Sequence, residues 1–122
     1  MHAVDRDEMQ IRIQGDGVDF RTRELGGQTI AWVQLPKGAD LSPALKGLPG
    51  DACQCPHWGY IVKGQLLMRT PQGDETYEAG QAFYWGPGHA PEALTDCEYV
   101  DISPTAELEV VLAHVTGNGP AI

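Results

Sequence analysis

The chain has 122 residues, 42% of them hydrophobic and 20% charged. That is the balance of an ordinary folded domain and excludes a disordered or fibrous chain. Its formal net charge is −9 at pH 7, so the surface repels nucleic acid and anionic membranes, which demand lysine and arginine.

The first twenty residues carry Asp5, Arg6, Asp7, Glu8, Asp16 and Asp19. They lack the apolar stretch of a signal peptide, and no apolar run reaches the length of a membrane span. A cytoplasmic location follows as the default expectation. The length suits a single domain over residues 1–122. Glycine (15) and proline (9) are scattered along the chain, which predicts short strands joined by tight turns.

In chain order, the first ten residues read as a frayed polar tail. Val18–Leu25 and Thr29–Leu35 are predicted strands joined by a turn at Gly26-Gly27. Both parities of the second are fairly apolar, as in a strand covered on two sides. Residues 36–51 hold three prolines and three glycines and read as one long, lid-like loop. From Cys53 to Val62 the chain is predicted to be extended, with Gly64 as a break. Further strands are predicted over Gln65–Thr70, Glu75–Glu78, Ala82–Trp85, His89–Leu94 and Glu98–Ile102, with a hairpin turn at Pro71–Asp74. This rapid succession is that of an all-β sandwich or barrel over about residues 18–102. A helix over about 104–116 closes the chain: Ser103 suits its N-cap, Pro104 its first position and Gly117 its end. Leu108, Val111, Leu112 and Val115 form one helical face, expected to pack on the outside of the barrel.

The three cysteines, Cys53, Cys55 and Cys97, are too few and too odd in number for a disulfide framework. Two of them belong to the most informative segment, Cys53-Gln54-Cys55-Pro56-His57. Side chains alternate along a strand, so Cys53, Cys55 and His57 are predicted to share one face. Thiolate and imidazole donors favour zinc, iron or copper over magnesium or calcium. The bland alternative is two buried cysteines beside a hydrogen-bonded barrel histidine. A second segment, Gly86-Pro87-Gly88-His89, is a turn that delivers His89 to the start of the next strand. His89 is therefore the candidate fourth ligand. Trp58, Tyr60 and Trp85 surround these motifs and are candidate pocket-lining residues, or else barrel core and rim.

These segments together resemble the two motifs of the cupin superfamily, over about residues 20–102. The stretch Tyr60-Ile61-Val62-Lys63-Gly64-Gln65-Leu66 is similar to the end of the first motif. Counting back from Gly64 puts His57 where the family has Glu, with Asp51 and Cys53 where it has its two His. Gly80, Gly86-Pro87-Gly88 and Pro91 occupy the places of the second motif, and His89 stands two residues before the usual His. The resemblance implies an antiparallel β-barrel of the double-stranded β-helix type, a small bacterial protein, and a homodimer formed through sheet edges. It also implies a modified metal set, Cys53, Cys55, His57 and His89, for a divalent zinc or iron ion. Three functions stay open: a metal-dependent enzyme acting on a small molecule, a non-catalytic metal- or small-molecule-binding module, and a metal-free barrel that binds an organic ligand or works through its thiols. No nucleic-acid or membrane partner is expected.

Overall fold

A computed structural model describes residues 1–117. Among these residues, nine strands build two facing sheets. They are β1 (Gln10–Gly15), β2 (Val18–Leu25), β3 (Gln28–Leu35), β4 (His57–Lys63), β5 (Gln65–Thr70), β6 (Gly73–Glu78), β7 (Ala82–Trp85), β8 (Ala90–Ala93) and β9 (Cys97–Pro104). The short helix α1 (Ser42–Leu45) lies in the long loop, and α2 (Thr105–Gly117) follows β9. One sheet has the order β1-β2-β3-β9-β4-β7 and the other β6-β5-β8, with all neighbouring strands antiparallel.

The strands form where alternation and turn chemistry demand. Gly26 and Gly27 both have positive φ (62° and 83°), and a two-residue turn with both central residues left-handed matches strand twist. On β3, Thr29, Ala31, Val33 and Leu35 are buried and the intervening residues are not. On β9 the buried parity is Cys97, Tyr99, Asp101 and Ser103. Between the sheets lie Ala31, Val33, Ile61, Leu66, Met68, Phe83, Trp85 and Tyr99. Gly59 permits β4 to reach this core: a Cβ there would sit 2.3 Å from the Val100 carbonyl oxygen.

The structure departs from the sequence expectations in four places. The amino-terminal segment is ordered. Arg6 reaches Asp19 at 2.9 Å and Gln34 at 3.0 Å, and β1 pairs with β2. The legible signal was Ile11 and Ile13 alternating with polar residues before an Asp16-Gly17 turn, whose φ angles are 52° and 84°. Next, the extended segment over Cys53–Val62 is interrupted, and β4 begins only at His57. Pro56 has no N–H for a ladder, so the isolated bridge at Cys53 is not continuous with β4, which starts just after it. Third, Ser103 and Pro104 end β9 and do not open the helix, because the β3–β9 register continues through Thr29↔Ser103 and Gln28↔Pro104. Fourth, the buried face of α2 does not lie on the barrel's outside. Leu108, Val111 and Leu112 pack with Leu45, Cys53, Cys55 and Ala90, and close one end of the barrel.

Candidate metal centre

Four features bring the site together. Cys53 bridges to His89 across the closed end: its N–H donates to the His89 carbonyl at 2.9 Å, and the His89 N–H donates back at 3.2 Å. The turn at Gly86–Gly88, with Gly88 at φ 97°, carries His89 into position. β4 then begins at His57, opposite Trp85 of β7. β9 supplies Asp101 and Ser103 from the neighbouring strand.

Cys53, His57 and His89 are all buried, and each offers a ligand atom such that all three lie within 4.8 Å of one another. Cys53 Sγ is 3.6 Å from His57 Nε2. His89 Nδ1 is 2.6 Å from the Gly86 carbonyl oxygen. A carbonyl only accepts, so Nδ1 carries the proton and Nε2 keeps its lone pair. His57 Nδ1 is 2.6 Å from the Ser103 hydroxyl. Both imidazoles thus have a backing hydrogen bond on one nitrogen, the arrangement that orients a metal-ligating histidine.

Burial, with the nearby His89 adding to it, lowers the His57 pKa to about 3. Burial likewise lowers that of His89. Both rings are therefore neutral at pH 7 and able to donate lone pairs. Burial pushes the Cys53 thiol up to about 11. A cation bound beside it would instead favour the thiolate. Two imidazoles and a thiol, pre-oriented and dry, fit a borderline-soft divalent ion.

The structure redraws the predicted set. Cys55 is not part of this three-residue group. The chain turns between Cys53 and His57, so the two cysteines do not share a strand face; Cys55 Sγ contacts the Pro56 carbonyl at 3.5 Å and its side chain packs with α2. Asp51 is exposed, with its carboxylate on the Gly47 N–H. Cys97 lies elsewhere, on the Gln65 carbonyl at 3.0 Å. Trp85 is buried and lines the cavity beside the group. Trp58 and Tyr60 do not: they are 50% and 49% exposed on the outer face. Strand parity explains this, since residues one or three positions from His57 along β4 must point away from it.

The cavity beside the group has a volume of about 80 Å³. Phe20 and Tyr99 from the barrel, Leu41 and Leu45 from the long loop, and Leu108 and Leu112 from α2 form much of its wall. Asp101 lines it as well. Sequence reading missed this residue. Its Oδ2 is 3.9 Å from His57 Nδ1, and burial raises its pKa to about 8. Asp101 and Ser103 share the inward parity of Cys97 and Tyr99, which was the available signal.

Two interlocked antiparallel sheets enclosing a Cys–His–His cluster define a cupin-fold barrel with a metal-type site. Comparison with solved structures supports the fold. A cupin of the RmlC-like type from Shewanella frigidimarina superposes with a TM-score of 0.60 at 17% identity, over 85% of this chain and 91% of that one. A sugar phosphate isomerase from a cupin superfamily, from Silicibacter pomeroyi, gives 0.60 at 16% identity, over 84% and 75%. A variant of oxalate decarboxylase from Bacillus subtilis gives 0.58 at 14% identity, over 80% of this chain and 28% of that one. No family model and no curated protein matches the sequence.

Proposed function

We propose that this is a metal-dependent enzyme acting on a small molecule within the closed end of the barrel, with Cys53, His57 and His89 as the ligands of a zinc or iron ion. The observation that carries the reading is three convergent donor atoms within 4.8 Å, beside a cavity. Catalytic zinc sites characteristically use three protein ligands and leave a position for water or substrate, whereas structural sites use four. Removal of Cys55 from the set therefore tilts the choice toward catalysis. In this reading His57 and His89 both ligate through Nε2, held by Ser103 and Gly86. An ion bound there supplies Lewis acidity toward an oxygen of the substrate or of water. Leu108, Val111 and Leu112 exclude bulk water. Among the compared structures, two carry enzyme names, oxalate decarboxylase and sugar phosphate isomerase.

The proposal includes a reducing compartment, the cytoplasm, because Cys53 must stay a free thiol and all three cysteines are unpaired. It also includes a homodimer. Trp58, Tyr60, Tyr84 and Ile102 are exposed and neighbour one another across β7, β4 and β9. A second copy is the occupant favoured, because two chains of net charge −9 meet most easily where charge is lacking.

Elemental analysis of protein purified under reducing conditions tests the metal. The wild type is expected to hold about one zinc or iron ion per chain. His57→Ala should lose it, while Cys55→Ser and Cys97→Ala should retain it. Loading that survives in His57→Ala overturns the ligand assignment. A metal-loaded protein without turnover across a panel of small substrates favours the alternative, a non-catalytic binding module.

A further inference from the structure

Two buried polar atoms of cavity-lining residues find no hydrogen-bond partner among the described residues: the Trp85 indole Nε1–H and Asp101 Oδ1. Their residues are 3% and 4% exposed, and both line the cavity that His57 and His89 line. A buried polar group without a partner costs about 1–3 kcal/mol, so such groups are rarely left idle. Of the imidazole nitrogens at this place, His57 Nδ1 is engaged with Ser103 and His89 Nδ1 with Gly86, and the Nε2 atoms are those assigned to the ion.

One of the idle atoms can only donate and the other is a carboxyl oxygen. A hydroxyl is the simple group that accepts and donates at once. Apart from Cys53, the two imidazoles and Tyr99, the rest of the wall is apolar: Ile13, Phe20, Leu41, Leu108, Val111 and Leu112 are prominent in it. No lysine or arginine lines the cavity. The nearest candidate on β1, Arg12, is engaged with Glu109 at 2.6 Å. No side chain of the wall supplies a counter-charge to a carboxylate or phosphate, so burying one there is costly unless a bound ion provides it. A polyol would leave most of its hydroxyls against hydrocarbon.

We infer that the cavity takes a small, uncharged, mostly apolar alcohol, whose single hydroxyl accepts from Trp85 Nε1–H and donates to Asp101. This rests on the reading of the cavity as the substrate site and narrows its substrate class. Trp85 and Asp101 are then specificity-determining residues. Aliphatic and aromatic alcohols share this chemistry, whereas sugars, sugar phosphates and dicarboxylates do not. A volume of about 80 Å³ limits the occupant to a few heavy atoms unless α2 shifts.

Binding of cyclopentanol, cyclopentane, glycerol and cyclopentanecarboxylate to the full chain tests the inference, in both metal-stripped and zinc-treated protein. The readouts are calorimetry and the nitrogen–proton NMR signal of the Trp85 indole, assigned with Trp85→Phe. In metal-stripped protein, cyclopentanol is expected to move that signal and to bind at least about 10-fold more tightly than the other three probes. Asp101→Leu should erase the preference over cyclopentane, and Asp101→Asn, which keeps a carbonyl acceptor, should restore it. A purely structural role for Asp101 would not produce that split. Equal binding of the carboxylate in metal-stripped protein, or an indole signal unmoved by the alcohol, overturns the inference. The metal reading is judged separately: if zinc fails to load but the alcohol still binds through Trp85 and Asp101, the alcohol site stands and the metal assignment falls.

Discussion

His57 shows how one residue is committed by its surroundings. It begins β4 directly after Pro56, and its imidazole is fixed at both ends, by Ser103 Oγ at 2.6 Å and by Cys53 Sγ at 3.6 Å. Removing the first contact should leave the ligand in place but loosely aimed. Ser103→Ala is therefore expected to weaken zinc binding by roughly 10–100-fold, the usual effect of losing a partner behind a ligand. Competition against a chromophoric chelator would measure it, and unchanged affinity would mean that Ser103 serves the fold alone. Asp19 illustrates the same principle with charge. Its carboxylate is held by Arg21 at 2.8 Å and by Gln14 and Arg6. Those bonds, Arg21 foremost, keep its pKa below the ordinary carboxylate value against the opposing effect of burial. A depressed pKa stabilises the folded state above the unfolded value, about 3.9, and that contribution fades as pH falls through the folded one. Asp19→Asn should thus be less stable than wild type at pH 7, and the gap should close below about pH 4 in denaturant titrations.

At the scale of elements, α2 does two tasks. Its apolar face completes the second core cluster, with Leu108 and Leu112 each only 2% exposed. The same residues wall the cavity beside His57. Arg12 of β1 ties the helix down through two bonds to Glu109, at 2.8 and 2.6 Å. That pair is partly exposed and worth little by itself, so packing must hold the lid. Leu112→Ala is expected to cost about 2–5 kcal/mol of stability and to speed hydrogen exchange in α2 ahead of the strands. Exchange that rises equally in β3 and β9 would show that helix and barrel open only together. The long loop contributes to the same end: Leu41 and Leu45 reach the cavity, while Leu41 N–H bonds the Pro91 carbonyl at 3.0 Å.

For the whole molecule, charge and apolar surface pull in opposite directions. The net charge of −9 keeps copies apart. The aromatic stripe is the surface the proposed dimer would bury, and in it Trp58 and Tyr84 lie tilted with centroids 5.1 Å apart. Sedimentation should detect a dimer at micromolar concentration, strengthened by salt that screens the repulsion. Trp58→Ser should give a monomer that keeps its metal content, because the side chain points away from the site. A monomeric wild type at every salt concentration would refute the dimer. Among the described residues, no helix is long and apolar enough to cross a membrane.

Alternation and turn chemistry are local, so they were readable in the sequence. The β2 and β3 strands, the Gly26-Gly27 turn, the barrel class and the buried face of α2 all follow from spacing alone. His57 and His89 stood out for the same reason, as metal-competent residues at turn and strand boundaries. What the sequence could not decide was which atoms meet across chain separations. Pro56 separates the isolated Cys53–His89 bridge from β4, and Cys53 meets His89 and His57 while Cys55 does not join that group. The outward parity of Trp58 and Tyr60 became certain only once His57 was known to start β4. Asp101 and Ser103 lie more than forty residues beyond His57, and the β4–β9 pairing alone carries them to it. Side chains that converge from different strands leave no periodicity in the chain, and only the tertiary fold brings them to one place.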